Sequence, residues 1–550
     1  MVGMEDSPAL SPDGKAVAFV APFGARRHIW IRMLAGGAPL RITNDDADHQ
    51  HPRWAPDSTS LIYYSPSATE GETGTLWEIA VLGGTPRRLF DAITGGDLSH
   101  DGKRIAAFQI RNGRVELALA ARDGSGASRA LALPAGCLYS YPRWAPGDGS
   151  IAMECISMYS FDSLLYVVPA VGGTVRELLH GSSFRGLSWL SDGSGLVYGS
   201  AAESTVLYPP VYNLRTIGLD GKADRQLTFG DVSYVDPDVQ GASRLIVSRV
   251  RIQSDIWKFE TGGTPSANTS SAVRITHQTG QAQVPSVSPD GAELVYLSDS
   301  GGHGNLWVSK VDGSAPRPIT FERDPDIAIG VPIWAPRGNR IVFIRSQMGK
   351  TSEWLVNSDA TGLHELIPQG AGATWSGDGQ WVYYTVRNKD AFCIEKVPVE
   401  GGAPSPVRCD GALPSAVSPD NSTLYYTGPA ALGAVAQWNY LRKASPESGP
   451  PQPLVRVAGL RIPVKATMFN PVLSPDGKWL AVPLIDGPSS NIWLAPSAGG
   501  PLLPITDFGQ RPVLIARRVS WSPDGTQMYA AVAETDADVV LLNGLLPTHR

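Results

Sequence analysis

One phrase stands near both ends of the chain. "ALSPDGKAVAFV" covers residues 9–20 and "VSWSPDGTQMYAAV" covers residues 519–532. In Ser-Pro-Asp-Gly, Pro presets φ, Asp bonds back to its own backbone, and Gly accepts the positive φ that closes a tight turn between antiparallel strands. Full copies lie at residues 11–14, 288–291, 474–477 and 522–525. Worn copies centre on Asp57, Asp101, Asp148, Asp192, Arg337, Asp378 and Asp420, with an eroded one near Gly241. Neighbouring copies are about 41 to 56 residues apart, the period of a four-stranded propeller blade and not of a helical repeat.

Each copy keeps one internal grammar: an inner strand before the turn, an alternating strand after it, a third strand, a Gly-Gly or Asp-Gly turn, and a short closing strand. Blade two shows all of it in "HPRWAPDS", "LIYYS", "GTLWEIAVLGG" and "TPRRLF". The third strand recurs as "RHIWIRMLAGG", "SDIWKFETGG", "GNLWVSKVDG" and "SNIWLAPSAGG", whose Trp and Ile are suited to burial between stacked sheets. Gly (59) and Pro (45) fit a turn-rich all-β chain, and no stretch is compositionally simple.

These repeats resemble the TolB-type, WD40-like propellers. "ALSPDGKAVAF", "DDADHQHPRWAPDS", "SDSGGHGNLW", "VPVEGG" and the ending "ARRVSWSPDG" with "DADVVLLNGLL" resemble more closely the propeller region that follows the kinase or winged-helix domain in acidobacterial-type regulators. That resemblance implies the sensory part of a bacterial signalling protein. Its kinase domain would lie outside this chain.

A dozen blades exceed the four to eight of ordinary rings, so the expectation is an all-β fold of about twelve four-stranded blades in two six-bladed rings in tandem, residues 1–283 and 284–550. The stretch from Gly262 to Ala272 is expected to be a long surface loop. Blade one starts at its inner strand, and blade twelve stops after "DVVLLNGLL", read as its third strand. One outer strand is thus expected to be missing, to be supplied by a longer chain or a partner, unless the last blade is merely three-stranded.

The formal net charge of -6 gives no general attraction for nucleic acid or anionic lipid. No apolar run approaches the length of a membrane span, and the first residues show no export signal. Neither a Gly-x-Ser-x-Gly elbow nor a phosphate-binding glycine loop nor a kinase catalytic loop occurs. The residues therefore assign no catalytic group, cofactor or resident metal.

Function is expected at a channel mouth, where the residues just before each inner strand gather. For the first ring the candidate ligand-binding residues are Glu5, Asp6, His49, His51, Tyr141, Arg143, Arg185 and Asp236, with Tyr139, Tyr234 and Arg53 nearby. This polar, mixed-charge set suits a small polar ligand, a peptide terminus or another protein. The second mouth, with Gln283, Val284, Gly330, Val331, Leu413, Phe469 and Asn470, reads as mostly apolar beside Arg517 and Arg518. His49 and His51, two apart on an extended segment, are expected to point the same way, which allows chelation and motivates the alternative of a metal-assisted lyase or hydrolase. His303 and residues 322–330 read as surface loops.

Cys393 and Cys409 are expected almost opposite each other across a hairpin, where a bridge is geometrically possible. Cys137 and Cys155 could also approach, and free buried thiols are the alternative for both pairs. Bridges would favour the extracytoplasmic side of a membrane-anchored regulator. Without them the cytoplasm fits equally well.

Overall fold

The structure, a computed structural model, describes residues 5–24, 26–67, 73–125, 128–157, 162–181, 183–207, 209–241, 243–347, 350–388, 391–428, 440–456, 471–486 and 489–546. The repeated phrase forms the turn that its residue types require. In blade one the Gly14 N–H donates to the Ser11 carbonyl at 2.8 Å, and the Ser11 hydroxyl donates to Asp13 Oδ1 at 2.6 Å. Asp13 also takes the Lys15 N–H at 3.1 Å, while Gly14 supplies a φ of 69°. The same Ser-to-Asp bond recurs at Ser99–Asp101, Ser288–Asp290, Ser376–Asp378, Ser418–Asp420, Ser474–Asp476 and Ser522–Asp524. Donors aimed at the ionised form hold these carboxyls low; the Ser418 hydroxyl and the Ser422 N–H bring Asp420 down to about 2. The phrase is structural.

Each turn joins the inner two strands of an antiparallel meander. Blade one, for example, runs Asp6–Leu10, Ala16–Phe23, Arg26–Met33 and Leu40–Arg41 in spatial order. Ten such four-stranded sheets occur among the described residues, plus a five-stranded one built around two 17-residue strands, Arg244–Glu260 and Gln527–Asn543.

Those long strands decide how the chain divides. One compact unit comprises Met1–Glu203, Val211–Arg251 and Asp536–Arg550, and the other Ser204–Pro210 and Ile252–Thr535. The units thus differ from contiguous halves 1–283 and 284–550. In the first, blade six consists of Ser233–Gln240, residues 244–251 and residues 536–543, with Leu245 and Val247 packed with Val540, Leu542 and Leu546. In the second, blade twelve consists of Val513–Trp521, residues 527–535, residues 252–260 and the closing pair Val273–Arg274. The "DVVLL" segment therefore completes blade six, "SDIWKF" completes blade twelve, and blade twelve has its outer strand.

Each unit closes on itself. In the first, the Leu10 N–H of blade one donates to Asp238 Oδ2 of blade six at 2.8 Å. In the second, the Val287 N–H of blade seven donates to Ser520 Oγ of blade twelve at 3.0 Å. Both units are six-bladed β-propellers.

The core lies between neighbouring blades. Third-strand aliphatics Ile29, Leu76, Ile256, Leu306 and Ile492 are fully buried, as their burial pattern predicts. Their Trp neighbours Trp30, Trp77, Trp257, Trp307 and Trp493 are only half-buried, because strand alternation turns them to the opposite face near the rim. The buried indoles are those just before the turn: Trp54 Nε1 donates to the Ala9 carbonyl, Trp189 to Arg143 and Trp375 to Ile333, at 2.9 to 3.0 Å, stitching each blade to the one before it.

Within the stretch expected as an open loop, Pro265–Ser270 forms a short helix, the only one among the described residues. Thr264 caps it, and the buried Asn268 anchors it by donating to the Ile505 carbonyl at 3.0 Å. Both cysteine pairs are disulfides, Cys137–Cys155 with Cα atoms 5.4 Å apart and Cys393–Cys409 with Cα atoms 4.0 Å apart, and no free cysteine is present.

Candidate functional site

Inner strands do not run straight through the first propeller. Pairing slips between Asp6 and Ala9, Gln50 and Arg53, Ser140 and Arg143, Phe184 and Leu187, and Val235 and Asp238. At each slip one residue adopts the left-handed conformation: Ser7 (φ 51°), His51 (52°), Tyr141 (52°), Gly186 (75°) and Asp236 (53°). Four of these are not glycine, so each bulge holds strained backbone of order 1 kcal/mol or more in return for aiming a side chain off the strand's alternation. At Gly186 the space is also closed, since a Cβ there would sit 2.6 Å from the Asp236 Cα.

The bulges of different blades bring one set of side chains together. The His51 ring stands edge-on to Tyr141, centroids 5.5 Å apart, and both feel the carboxylate of Asp236. Burial lowers the His51 pKa, and Asp236 and Asp6 only partly offset it, so the imidazole is neutral at pH 7. Burial and then Asp236 raise the Tyr141 pKa, keeping the phenol protonated. For Arg185, burial works against the charge, but Asp236 and Tyr141 outweigh it and the pKa rises. Asp6 pairs with Arg27 at 2.5 Å.

Two residues further along, a second layer carries Arg53, Arg143 and Asp238, with Asp97 beside them. Arg53 Nη1 donates to Asp238 Oδ1 at 2.9 Å. Asp97 accepts the Trp144 N–H at 2.8 Å, and burial pushes its pKa up to about 6 despite Arg53. Arg143 is different. It is 6% exposed, its Nη1 donates only to the Pro142 carbonyl at 2.9 Å, its guanidinium carbon lies 5.6 Å from the Tyr141 ring centroid, and its Nε has no partner. The Asp236 Oδ1 and the Arg53 Nε are also buried without a partner.

Of the sequence candidates, Asp6, His51, Tyr141, Arg143, Arg185 and Asp236 therefore gather. Glu5 sits at the outer margin, its N–H donating to the Ala537 carbonyl at 3.1 Å. His49 does not join them. The positive φ at His51 breaks the alternation, so His49 turns instead among Tyr63, His28, Asp45 and Ser65. The supposed shared face of the two histidines does not exist. Arg27, Asp97 and Asp238 were missed; comparing the position two residues beyond each bulge across blades would have exposed Asp238.

In the second propeller Val284 and Val331 form an apolar cluster with Ile344, and Arg517 and Arg518 are each 7% exposed. Phe469 and Asn470 lie outside the described residues. His303 is buried, with its ring nitrogens facing the Gly304 and Asp324 carbonyls at 3.0 and 2.9 Å, so it is not a surface loop residue. No helix among the described residues is long and apolar enough to cross a membrane.

No family model matches the chain. It is 27% identical over 209 residues to the uncharacterized peptidase YuxL of Bacillus subtilis, covering 36% of this chain and 28% of that one. It is 32% identical over 87 residues to the Tol-Pal system protein TolB of Anaeromyxobacter dehalogenans, covering 16% of this chain and 19% of TolB. The chain thus spans less than a third of either relative. Among solved structures, the β-propeller domain of the Trilobed protease from Pyrococcus furiosus aligns over 66% of this chain and 98% of its own, at 12% identity and a TM-score of 0.31. With the blade geometry above, the chain is a β-propeller protein that is similar to TolB over part of its repeats.

Proposed function

We propose that the protein is a non-catalytic binding module whose first propeller takes, at its mouth, a small polar ligand or peptide terminus bearing a carboxylate. The observation that carries this reading is Arg143, a buried guanidinium that no carboxylate of the described residues pairs with. An uncompensated buried charge costs several kcal/mol, and an anionic ligand that accepts from Nε relieves it. Asp236 Oδ1, buried and unpartnered, supplies the matching acceptor for an amine or hydroxyl of the same ligand. The left-handed bulge recurs at Val284, Val331 and Arg517 and so belongs to the repeat; what sets the first mouth apart is that its bulges carry His51, Tyr141 and Asp236.

The wider reading, a sensory or protein-interaction part of a larger bacterial signalling protein facing an oxidising compartment, rests on the quoted repeat phrases and the two disulfides. Similarity to TolB accords with binding, whereas similarity to YuxL, named as a peptidase, keeps hydrolysis as the competing activity to be assayed. The test is calorimetric titration of the full chain with a panel of dipeptides, free or amidated at the C-terminus. Binding of free-carboxyl peptides that Arg143→Ala abolishes supports the proposal. Peptide cleavage, or binding indifferent to Arg143, overturns it.

A further inference from the structure

We propose that His28, Asp45 and His49, on the rim of blades one and two, form a binding site for a divalent transition metal ion such as Zn(II). One ligand atom from each of the three lies within 4.8 Å of the other two. His28 and His49 are 4% and 1% exposed, with ring centroids 5.8 Å apart, while the side chain of Asp45 is 60% exposed and leaves a path from solvent.

The repeat itself provides the second observation. In blades five, seven, eleven and twelve the residue at the His28 position is Asn213, Asn305, Asn491 or Asp255, and it plays a fixed structural part. Its Oδ1 accepts the hydroxyl of Thr228, Thr320, Thr506 or Thr276 at 2.7 to 3.1 Å, and that hydroxyl in turn accepts the N–H of the following Leu or Ile. Blade one keeps the threonine, Thr43, which accepts the Ile29 N–H at 3.0 Å, but replaces the amide with His28. The His49 position, two residues before the left-handed bulge, is filled elsewhere by Tyr139, Phe184, Tyr234, Ala282 or Ile329. Two independent positions that otherwise serve the fold have both become histidine in one blade pair, and their side chains meet. Packing alone asks for neither change.

The surroundings orient the donors as metal sites do. Ser65 Oγ lies 2.7 Å from His49 Nδ1, which directs Nε2 at Asp45 Oδ1, 2.6 Å away; Thr43 Oγ1 lies 3.2 Å from His28 Nδ1. On a tetrahedron with ~2.1 Å bonds the ligand atoms stand about 3.4 Å apart, so closure requires movements of about 1 Å, within reach of the exposed Asp45. Binding replaces the His49–Asp45 hydrogen bond: the single ring proton of His49 then sits on Nδ1 facing Ser65 Oγ, which leaves the Nε2 lone pair and the Asp45 carboxylate for the ion. Two imidazoles and one carboxylate leave a fourth position for water, and the nitrogen-rich set selects Zn(II) or Co(II) over Mg(II) or Ca(II). The site is separate from the Arg143 mouth and does not depend on its role.

The experiment titrates the chelator-treated full chain with Co(II) and Zn(II), following the visible Co(II) bands and the heat of binding. His28→Asn restores the residue other blades use, so it is expected to fold, and His49→Phe mimics blade five. Wild type is expected to bind one equivalent with the strong absorption of a four-coordinate site, both variants to lose at least 100-fold in affinity, and His364→Ala, which removes an exposed histidine whose ring meets the Gly362 carbonyl, to bind as wild type. No Co(II) binding by wild type, or undiminished binding by a folded His28→Asn variant, overturns the proposal.

Discussion

Arg53 and Asp238 are 185 residues apart in sequence, yet Nη1 of one donates to Oδ1 of the other at 2.9 Å. Asp238 Oδ2 meanwhile takes the Leu10 N–H at 2.8 Å, so one carboxylate ties blades one, two and six and closes the first ring. Removing one partner of a buried pair strands the other charge. Asp238→Ala is expected to lower unfolding stability by about 3 to 5 kcal/mol, measured by denaturant titration. A loss under about 1 kcal/mol would show that the ring closes without this tie.

Glu353 carries the clearest pH signature. Burial, which outweighs bonds from the Ala373 and Gly372 amides and the charge of Arg517, pushes its carboxyl up to about 8, from an ordinary 4.5. The folded state therefore holds a proton that the unfolded state releases. Its contribution is complete below about pH 4.5 and is lost as pH rises through about 8. Wild type should lose stability across that window relative to Glu353→Gln, by an amount on the order of 5 kcal/mol at full extent. Parallel pH–stability curves for the two proteins would contradict this.

Much of this fold was legible because its punctuation is local: in the full copies a Ser, an Asp and a Gly make the turn within six residues, and worn copies such as those at Ser58 and Asn421 keep the positive φ, so the blade period shows in the sequence. The exchange of third strands between blades six and twelve was not legible. Strands Arg244–Glu260 and Gln527–Asn543 pass from one unit to the other without a turn residue, and periodicity cannot say which ring a strand completes. Six of the eight mouth residues gathered as read. His49 failed because one backbone torsion, φ at His51, reverses the side-chain alternation on which the reading relied.

Both disulfides close short loops, 18 residues for Cys137–Cys155 and 16 for Cys393–Cys409. Each is expected to contribute about 3 kcal/mol by restricting the unfolded chain. Protein purified from an oxidising compartment and denatured without reductant should titrate no free thiol, and peptide mapping should find these two links. Four reactive thiols would contradict the pairing.

The central claim is that the buried, unpaired Arg143 makes the first mouth an anion-binding site. Its most direct measurement is the thermal and chemical stability of Arg143→Ala beside calorimetric binding of free-carboxyl and amidated dipeptides. The account predicts that wild type binds only the free-carboxyl form. It also predicts that Arg143→Ala binds neither form and melts no lower than wild type, because removing an uncompensated charge relieves its desolvation cost. A variant several degrees less stable, with peptide binding absent from wild type as well, would show Arg143 to be a packing residue and contradict the account.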